Sequence, residues 1–314
     1  MFTIDANTVS NAGAYLVGQL ERYDPTLNMP LLAYTWSRDI KLRTDVSIAD
    51  EVSSFSNTSF AAPTSAGEDG ESWISNSTNV IPGIDLSITK TGLPLTPWAR
   101  QLSWTVFELA AAQQLGRPID TQKLDAMNQV YQLNVDRQVY MGSKTLDVPG
   151  LLNQPAVKMS QAAKSWDTCT PDEIRDSINT GLTNAWKQTA RAVVPDKLLV
   201  PPDQYAILVD RIVSTAGNRS VLDYLTENTI AYKQNGKPLD IQPVKWLDKD
   251  IAPTKGKNRM VFYTNDTKYV QFPLVPLQRT PMEYRDLRQI VTYYGKVGVV
   301  ELRYSDTMHY MDGI

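Results

Sequence analysis

The sequence predicts an α+β fold that carries extended appendages, and three observations predict it. Leu124, Met127, Tyr131, Val135 and Val139 recur at three- and four-residue spacing, which places them on one face of a long helix. Short runs such as Ile84, Leu86, Ile88 and Val300, Leu302, Tyr304 alternate with the period of half-buried strands. From Thr44 to Thr89 there is no Lys or Arg, while Asp45, Asp50, Glu51, Glu68, Asp69, Glu71 and Asp85 occur among Ser, Thr and Asn. Such a segment cannot bury enough apolar surface to fold alone. It is either disordered or held extended by a partner.

The bulk composition narrows the class. A chain of 314 residues with 42% apolar and 21% charged residues can build a sizeable core, in about two domains. Its net charge of −3 gives no whole-chain attraction to nucleic acid or anionic membrane. No apolar run approaches the ~18 residues of a membrane span. "MFTIDANTVSNAGAYLVGQL" lacks the basic and apolar regions of a secretory signal. Cys169 is the only cysteine, which excludes an intrachain disulfide and a thiolate metal cluster. These features suit synthesis in a cytoplasm.

Each element follows in order. Residues 1–43 read as an extended arm with one short helix, broken at Asp24-Pro25 and Met29-Pro30. A strand over Ile84–Ile88 is followed by a turn at Thr91-Gly92 and a returning strand near Pro94–Trp104. A helix capped by Thr96 with Pro97 at N1 is the weaker alternative there. Thr105 and Glu108 form a capping box that opens a helix ending at Gly116. Asp120 caps the next helix, Thr121–Met141, about 30 Å long at 1.5 Å per residue. Gly142 stops it. "VPGLLNQPAV" then places two leucines inside a turn-rich connector. "CTPDEI" starts another helix with Thr170 as cap, Pro171 at N1 and Glu173 at N3, and its stripe runs through Ile174, Ile178, Leu182, Ala185 and Trp186. A buried strand covers Lys197–Val200, and a helix follows with Pro202 and Asp203 in its first turn. Ser220 caps a helix over Val221–Ala231. Strands follow at Leu239–Leu247, Arg259–Thr264 and Lys268–Phe272, with Asn265-Asp266 turning between the last two.

Catalytic signals are sparse. His309 is the only histidine, and a lone His in a strand pattern reads first as structural. No Gly-x-Ser-x-Gly elbow presents a nucleophile, and Ser87-Ile88-Thr89-Lys90 is explained by strand alternation. Cys169 precedes a helix start, where a thiol pKa can fall, but a small residue in a pre-cap position is the favoured reading. No Walker or dinucleotide loop occurs, and Gly295-Lys296-Val297-Gly298 is too short to bind phosphate. Lys245, Lys249, Lys255, Lys257 and Arg259 form the best basic patch, beside Asp248 and Asp250. Glu283, Arg285, Asp286 and Arg288 read as a charged surface or interface network. An arm and a hairpin that cannot bury themselves fit an assembling subunit better than an enzyme.

Two segments carry a family resemblance. "PIDTQKLDAMNQVYQLNVDRQVYMGSKTLDVPGLLNQPAV" resembles the long helix and the Gly-Leu-Leu-Asn-x-Pro turn of tailed-bacteriophage major capsid proteins. "FPLVPLQRTPMEYRDLRQIVTYYGKVGVVELRYSDTMHYMDGI" resembles the ending of one branch of them. These proteins have the Hong Kong 97-like fold, shared with encapsulins. The resemblance implies an N-terminal arm at 1–43 and an extended loop with flanking strands at 44–104, lying over a neighbouring subunit. It implies a peripheral domain at 105–159 with its spine helix at 121–141, an axial domain at 160–285, and a return of 286–314 to the peripheral domain. Copies would assemble as hexamers and pentamers into an icosahedral head around double-stranded DNA, contacted non-specifically. The shell would form in the host cytoplasm and reside in the virion, with a portal and decoration proteins as partners. No cofactor, metal or membrane is implied.

The same resemblance sharpens several residues. Pro149 and Gly150 turn the chain out of the spine helix, and Leu151 and Leu152 pin the turn against it. Asn153 satisfies nearby backbone groups and Pro155 sets the exit direction. On this resemblance the arm is expected to start near Met1 without the family's large N-terminal scaffolding segment, so a separate scaffold protein and no N-terminal cleavage are expected. Some relatives crosslink a Lys of the extended loop to an Asn. Here only Lys90 stands at the loop's edge, so no crosslink is expected. The acidic loop is expected to meet Lys245–Arg259 on its neighbour. An encapsulin-type shell with protein cargo and a cytoplasmic hydrolase using His309 are the alternatives.

Overall fold

The computed structural model describes residues 33–61, 85–115, 119–213, 217–251, 254 and 256–314. Most of the expected arm, the far part of the extended loop, Ile84 and Lys255 lie outside them. In chain order the elements begin with α1 (Trp36–Asp39), β1 (Leu42–Arg43), β2 (Val52–Ala61), β3 (Asp85–Pro94) and β4 (Thr96–Thr105). Then come α2 (Val106–Leu115), α3 (Ile119–Met141), β5 (Lys158–Gln161), α4 (Pro171–Gln188), β6 (Lys197–Val200) and α5 (Pro202–Asp210). β7 (Ile212–Val213), β8 (Arg219–Ser220), α6 (Val221–Glu227), α7 (Ile230–Asn235), β9 (Asp240–Pro243) and β10 (Arg259–Tyr263) follow. The chain ends with β11 (Val270–Arg279), β12 (Glu283–Arg285), β13 (Arg288–Val297), β14 (Glu301–Leu302) and β15 (Met308–Asp312).

Contacts group these elements into two units. The larger contains Tyr34–Arg100, Tyr131–Arg279 and Tyr293–Ile314. Its centre is a sheet of order β5-β15-β10-β6-β9. Side chains of a strand alternate between faces, and here both faces are covered. Leu199, Val261, Tyr263, Met308 and Tyr310 join the C-terminal half of α3, through Tyr131, Val135, Val139 and Tyr140, in one cluster. Leu198, Val200, Met260, Phe262 and Met311 join α4, through Ile174, Ile178 and Leu182, in another. Gly181 of α4 lies against the Phe262 ring, where a Cβ would collide. In the same unit β11 pairs with β1 in parallel and with β13 and β14 antiparallel.

The smaller unit contains Gln101–Val130 and Thr280–Thr292. The Thr105–Glu108 capping box forms: Glu108 N–H donates to Thr105 Oγ1 at 3.1 Å and Thr105 N–H to Glu108 Oε2 at 3.0 Å. The hydrogen bond from Thr105 N–H, and Lys123 beside it, hold the Glu108 carboxyl below the usual range. β12 and β13 make a hairpin whose turn is Asp286-Leu287, at φ 46° and 60°. Val106 N–H donates to Leu287 O at 3.0 Å, which joins the start of α2 to that turn.

Several expectations change. Thr91-Gly92 is no turn: both lie inside β3, with Gly92 opposite Ser54 of β2. Leu86 and Ile88 are 62% and 64% exposed instead of half-buried, on a ribbon in which β2 and β3 pair only with each other. The helix after Ser220 breaks at Asn228, since Thr229 accepts from Tyr232 N–H and caps a new one. The strand at Leu239 ends at Pro243 and becomes a short 3₁₀ turn, Lys245–Leu247. Asn265-Asp266 does not close a hairpin, because β10 and β11 belong to different sheets. Asp120 lies within α3 and not ahead of it. β15 sits between β5 and β10, with Met308 and Tyr310 facing one cluster and Met311 the other.

Candidate assembly surfaces and their anchors

The joint after the spine helix shows what its leucines do. A helix leaves its last carbonyls without partners. Here Leu151 N–H donates to Val139 O at 2.7 Å and Leu152 N–H to Tyr140 O at 3.0 Å. Asn153 Nδ2 donates to Met141 O at 3.0 Å, and its Oδ1 accepts from Gly150 N–H at 2.6 Å. Leu151 and Leu152 are both fully buried, each stabilising by about 1.5–3 kcal/mol. Gly142 has φ 68°, and a Cβ there would strike the backbone of Val148 and Pro149; at Gly150 it would strike Tyr140 and Gly142. Pro155 is exposed in the turn before β5.

Arg259 belongs to this joint and not to a surface patch. It is 5% exposed. Its Nη1 donates to Leu152 O at 2.7 Å, while Nε and Nη2 hold Asp312 at 2.6 and 2.9 Å. Its guanidinium lies over the Tyr310 ring at 4.6 Å, and the Tyr310 hydroxyl donates to Leu151 O at 2.6 Å. β10 and β15 place Arg259 opposite Asp312, a pairing invisible from a run of neighbouring lysines. Of the rest of the patch, Lys249 and Lys257 are exposed. Lys245 lies 3.7 Å from Asp136.

Two buried carboxylates tether the segment that leads from the arm. Asp136 of α3 accepts from Thr35 and Trp36 N–H at 2.8 and 3.1 Å and so caps α1 from about 100 residues away. Its other oxygen takes the Trp246 indole N–H at 2.7 Å. Asp39 is fully buried beside Lys197 at 3.1 Å and accepts from the Tyr140 hydroxyl. Burial, followed by the charge of Asp39, raises the Tyr140 pKa far above its ordinary value. Sequence reading singled out neither Asp136 nor Asp39, because each partner lies far along the chain.

Exposed apolar groups occur in several places, and two groups of them matter here. On the β2–β3 hairpin they are Val52, Leu86 and Ile88. In the smaller unit they are Val106, Phe107, Met282, Tyr284 and Leu287, with Phe107 75% and Tyr284 74% exposed. Leu287 holds a left-handed backbone that a side chain adopts only at a cost. Glu283 and Arg285 are exposed beside them on β12, and Arg285 faces Arg288 across the hairpin. Like charges so placed repel.

The catalytic candidates are internal. His309 is 2% exposed, and burial pushes its pKa down to about 4. Gln188 Nε2 lies 2.7 Å from Nδ1 and Ser160 Oγ lies 2.8 Å from Nε2. Both ring nitrogens are thus engaged by part-buried neighbours within the fold. Cys169 is buried, and burial raises its thiol pKa, opposite to an activated thiolate. Among the described residues no group of His, Cys, Asp and Glu could hold a metal, and no helix is long and apolar enough to cross a membrane.

Two buried apolar clusters, with further apolar side chains left exposed on the hairpin and in the smaller unit, are features an assembling subunit has use for. Comparison with known proteins gives the same class. The family model for the major capsid protein matches residues 70–314, and the chain belongs to that family. The fold is the Hong Kong 97-like capsid fold. The capsid of Myoviridae phage XM1 shares it with a TM-score of 0.78 at 18% identity, covering 95% of this chain and 98% of that one. The capsid of the native GTA particle gives 0.61 at 11%, covering 99% of each chain. The virus-like particle from Pyrococcus furiosus gives 0.51 at 12%, covering 87% and 90%. No curated protein matches by sequence.

Proposed function

We propose that this chain assembles as hexamers and pentamers into the icosahedral head of a bacteriophage around double-stranded DNA. The observation that carries the reading is the β2–β3 hairpin, whose Leu86 and Ile88 are exposed although the family to which the chain belongs builds capsids. In this reading the hairpin, from the 44–104 segment, lies over a neighbouring copy. Residues 105–159 form the peripheral domain and 160–285 most of the axial domain. The Phe107, Tyr284 and Leu287 patch, with Glu283 and Arg285 at its rim, meets another copy. Scaffold, portal and decoration proteins are its further partners, met in the host cytoplasm. DNA contacts are to the backbone and non-specific, and a net charge of −3 is compatible because packaged DNA brings counterions.

Electron microscopy and sedimentation of the expressed full chain, with and without a scaffold, test this reading. Closed shells are expected, and a discrete monomer under both conditions overturns it. Two finer points have their own tests. With no Lys between Thr44 and Thr89, particles should run as a single monomer band on a denaturing gel, and a ladder of multimers removes that point. Charge reversal at Lys255 and Lys257 should weaken shells if these residues meet the acidic hairpin. Arg259 takes no part in that contact, being buried against Asp312.

A further inference from the structure

A hairpin that must reach another copy is useful only if it leaves the body in a set direction. Its base shows one buried charge where four strands converge. Glu301 of β14 is fully buried. Its Oε1 accepts from the Ser53 hydroxyl of β2 and from Arg43 Nη1 of β1 at 3.1 Å. Its Oε2 accepts from Gln271 Nε2 of β11 at 2.7 Å. The same Arg43 nitrogen reaches Ser53 Oγ and Ser54 O, each at 3.1 Å. Arg43 Nε and Nη2 grip Asp45 at 2.7 and 3.1 Å. Backbone register keeps the hub in place: Glu301 lies opposite Gln271, and Arg43 opposite Pro273. Two further bonds hold the hairpin base, Lys296 Nζ to Asp50 O at 2.7 Å and Asn57 Nδ2 to Arg303 O at 2.8 Å.

Packing alone does not explain a carboxylate here. A buried charge is costly to desolvate, and an apolar residue of similar volume often serves stability as well. What the charge adds is direction, since its lone pairs accept only from donors placed along them. Those donors come from the last residue of the arm, from the hairpin and from the body sheet. We propose that Glu301 is the pin that sets the direction of the β2–β3 hairpin, so that the β1 segment and the hairpin are positioned as one piece for assembly. Glu301 acts through Ser53 and Arg43 and is a positioning residue. The proposal rests on the shell reading above.

The test uses the full chain as wild type, Glu301→Gln and Ser53→Ala. Hydrogen exchange is followed at the hairpin base, residues 52–57 and 89–94, and in β10 and β15. Electron microscopy gives particle diameters. Both variants should exchange at least about tenfold faster at the hairpin base while β10 and β15 keep wild-type protection. Both should give fewer closed particles with a broader spread of diameters. Ser53→Ala removes one hydroxyl and keeps the Arg43–Glu301 pair, so it decides the matter should Glu301→Gln not fold. Unchanged exchange and diameters overturn the pin. So does a uniform loss of protection across the larger unit, which marks a residue that only stabilises. If wild type forms no particles the shell reading fails, while the exchange measurement still decides the pin.

Discussion

The Gly142–Pro155 joint and the β2–β3 hairpin invert what their compositions suggest. The joint looks like a loop, with glycines, prolines and an asparagine, yet Leu151 and Leu152 are fully buried. The hairpin alternates apolar residues as a half-buried strand should, yet Leu86 and Ile88 are exposed. The difference lies in what each backbone has to satisfy. The joint closes the open carbonyls of a long helix, so it must lie against that helix. The hairpin pairs β2 only with β3, leaves the outer edge of each strand open, and is held to the body at its base. Its side chains remain available to something else. The joint is finished within the chain, and on the proposed reading the hairpin is finished between chains.

The largest expected effect tests the first half of that contrast. Leu152→Asp buries a charge with no partner and should cost more than about 5 kcal/mol, abolishing soluble protein. Normal yield and normal particles from that variant would show the joint to be open. Arg259→Met comes next: it strands Asp312 and Leu152 O, for a loss of about 3–5 kcal/mol in chemical denaturation of the unassembled subunit. A loss under 1 kcal/mol would place the tie elsewhere.

Acid offers a third probe. Burial lowers the His309 pKa from 6.5 to about 4, so the fold favours the neutral ring. That contribution is complete above pH 6.5 and is lost as pH falls toward 4, by about 3 kcal/mol in all. Subunit stability followed across this range should slope downward in the wild type and run flatter in His309→Gln. Equal slopes would exclude His309 as the source.

The smallest effect on the subunit sharpens the second half. Replacing Leu86 and Ile88 together by Ser should change its stability by no more than about 0.5 kcal/mol. The same double variant should nevertheless lose particle assembly in sedimentation. Intact assembly would mean that these side chains contact nothing in the shell.

What could be read in advance was local. The capping boxes at Thr105–Glu108 and Thr170–Glu173 sit where their spacing places them, because both partners lie within one helical turn. The α3 stripe and the Gly142 stop follow for the same reason: periodicity and a left-handed φ are properties of a few consecutive residues. The family also showed through, since the helix, its turn and the C-terminal ending are contiguous stretches. Arg259 was misread because its nearest sequence neighbours are lysines, whereas its partner, Asp312, stands across a strand pair. Asp39, Asp136 and Glu301 gave no signal for the same reason. Spacing, caps and turn residues act over a few residues and are determined by the sequence directly. Which carboxylates are sealed, and whether an alternating strand meets a core or open solvent, depend on segments brought together from far along the chain, and only the tertiary structure decides them.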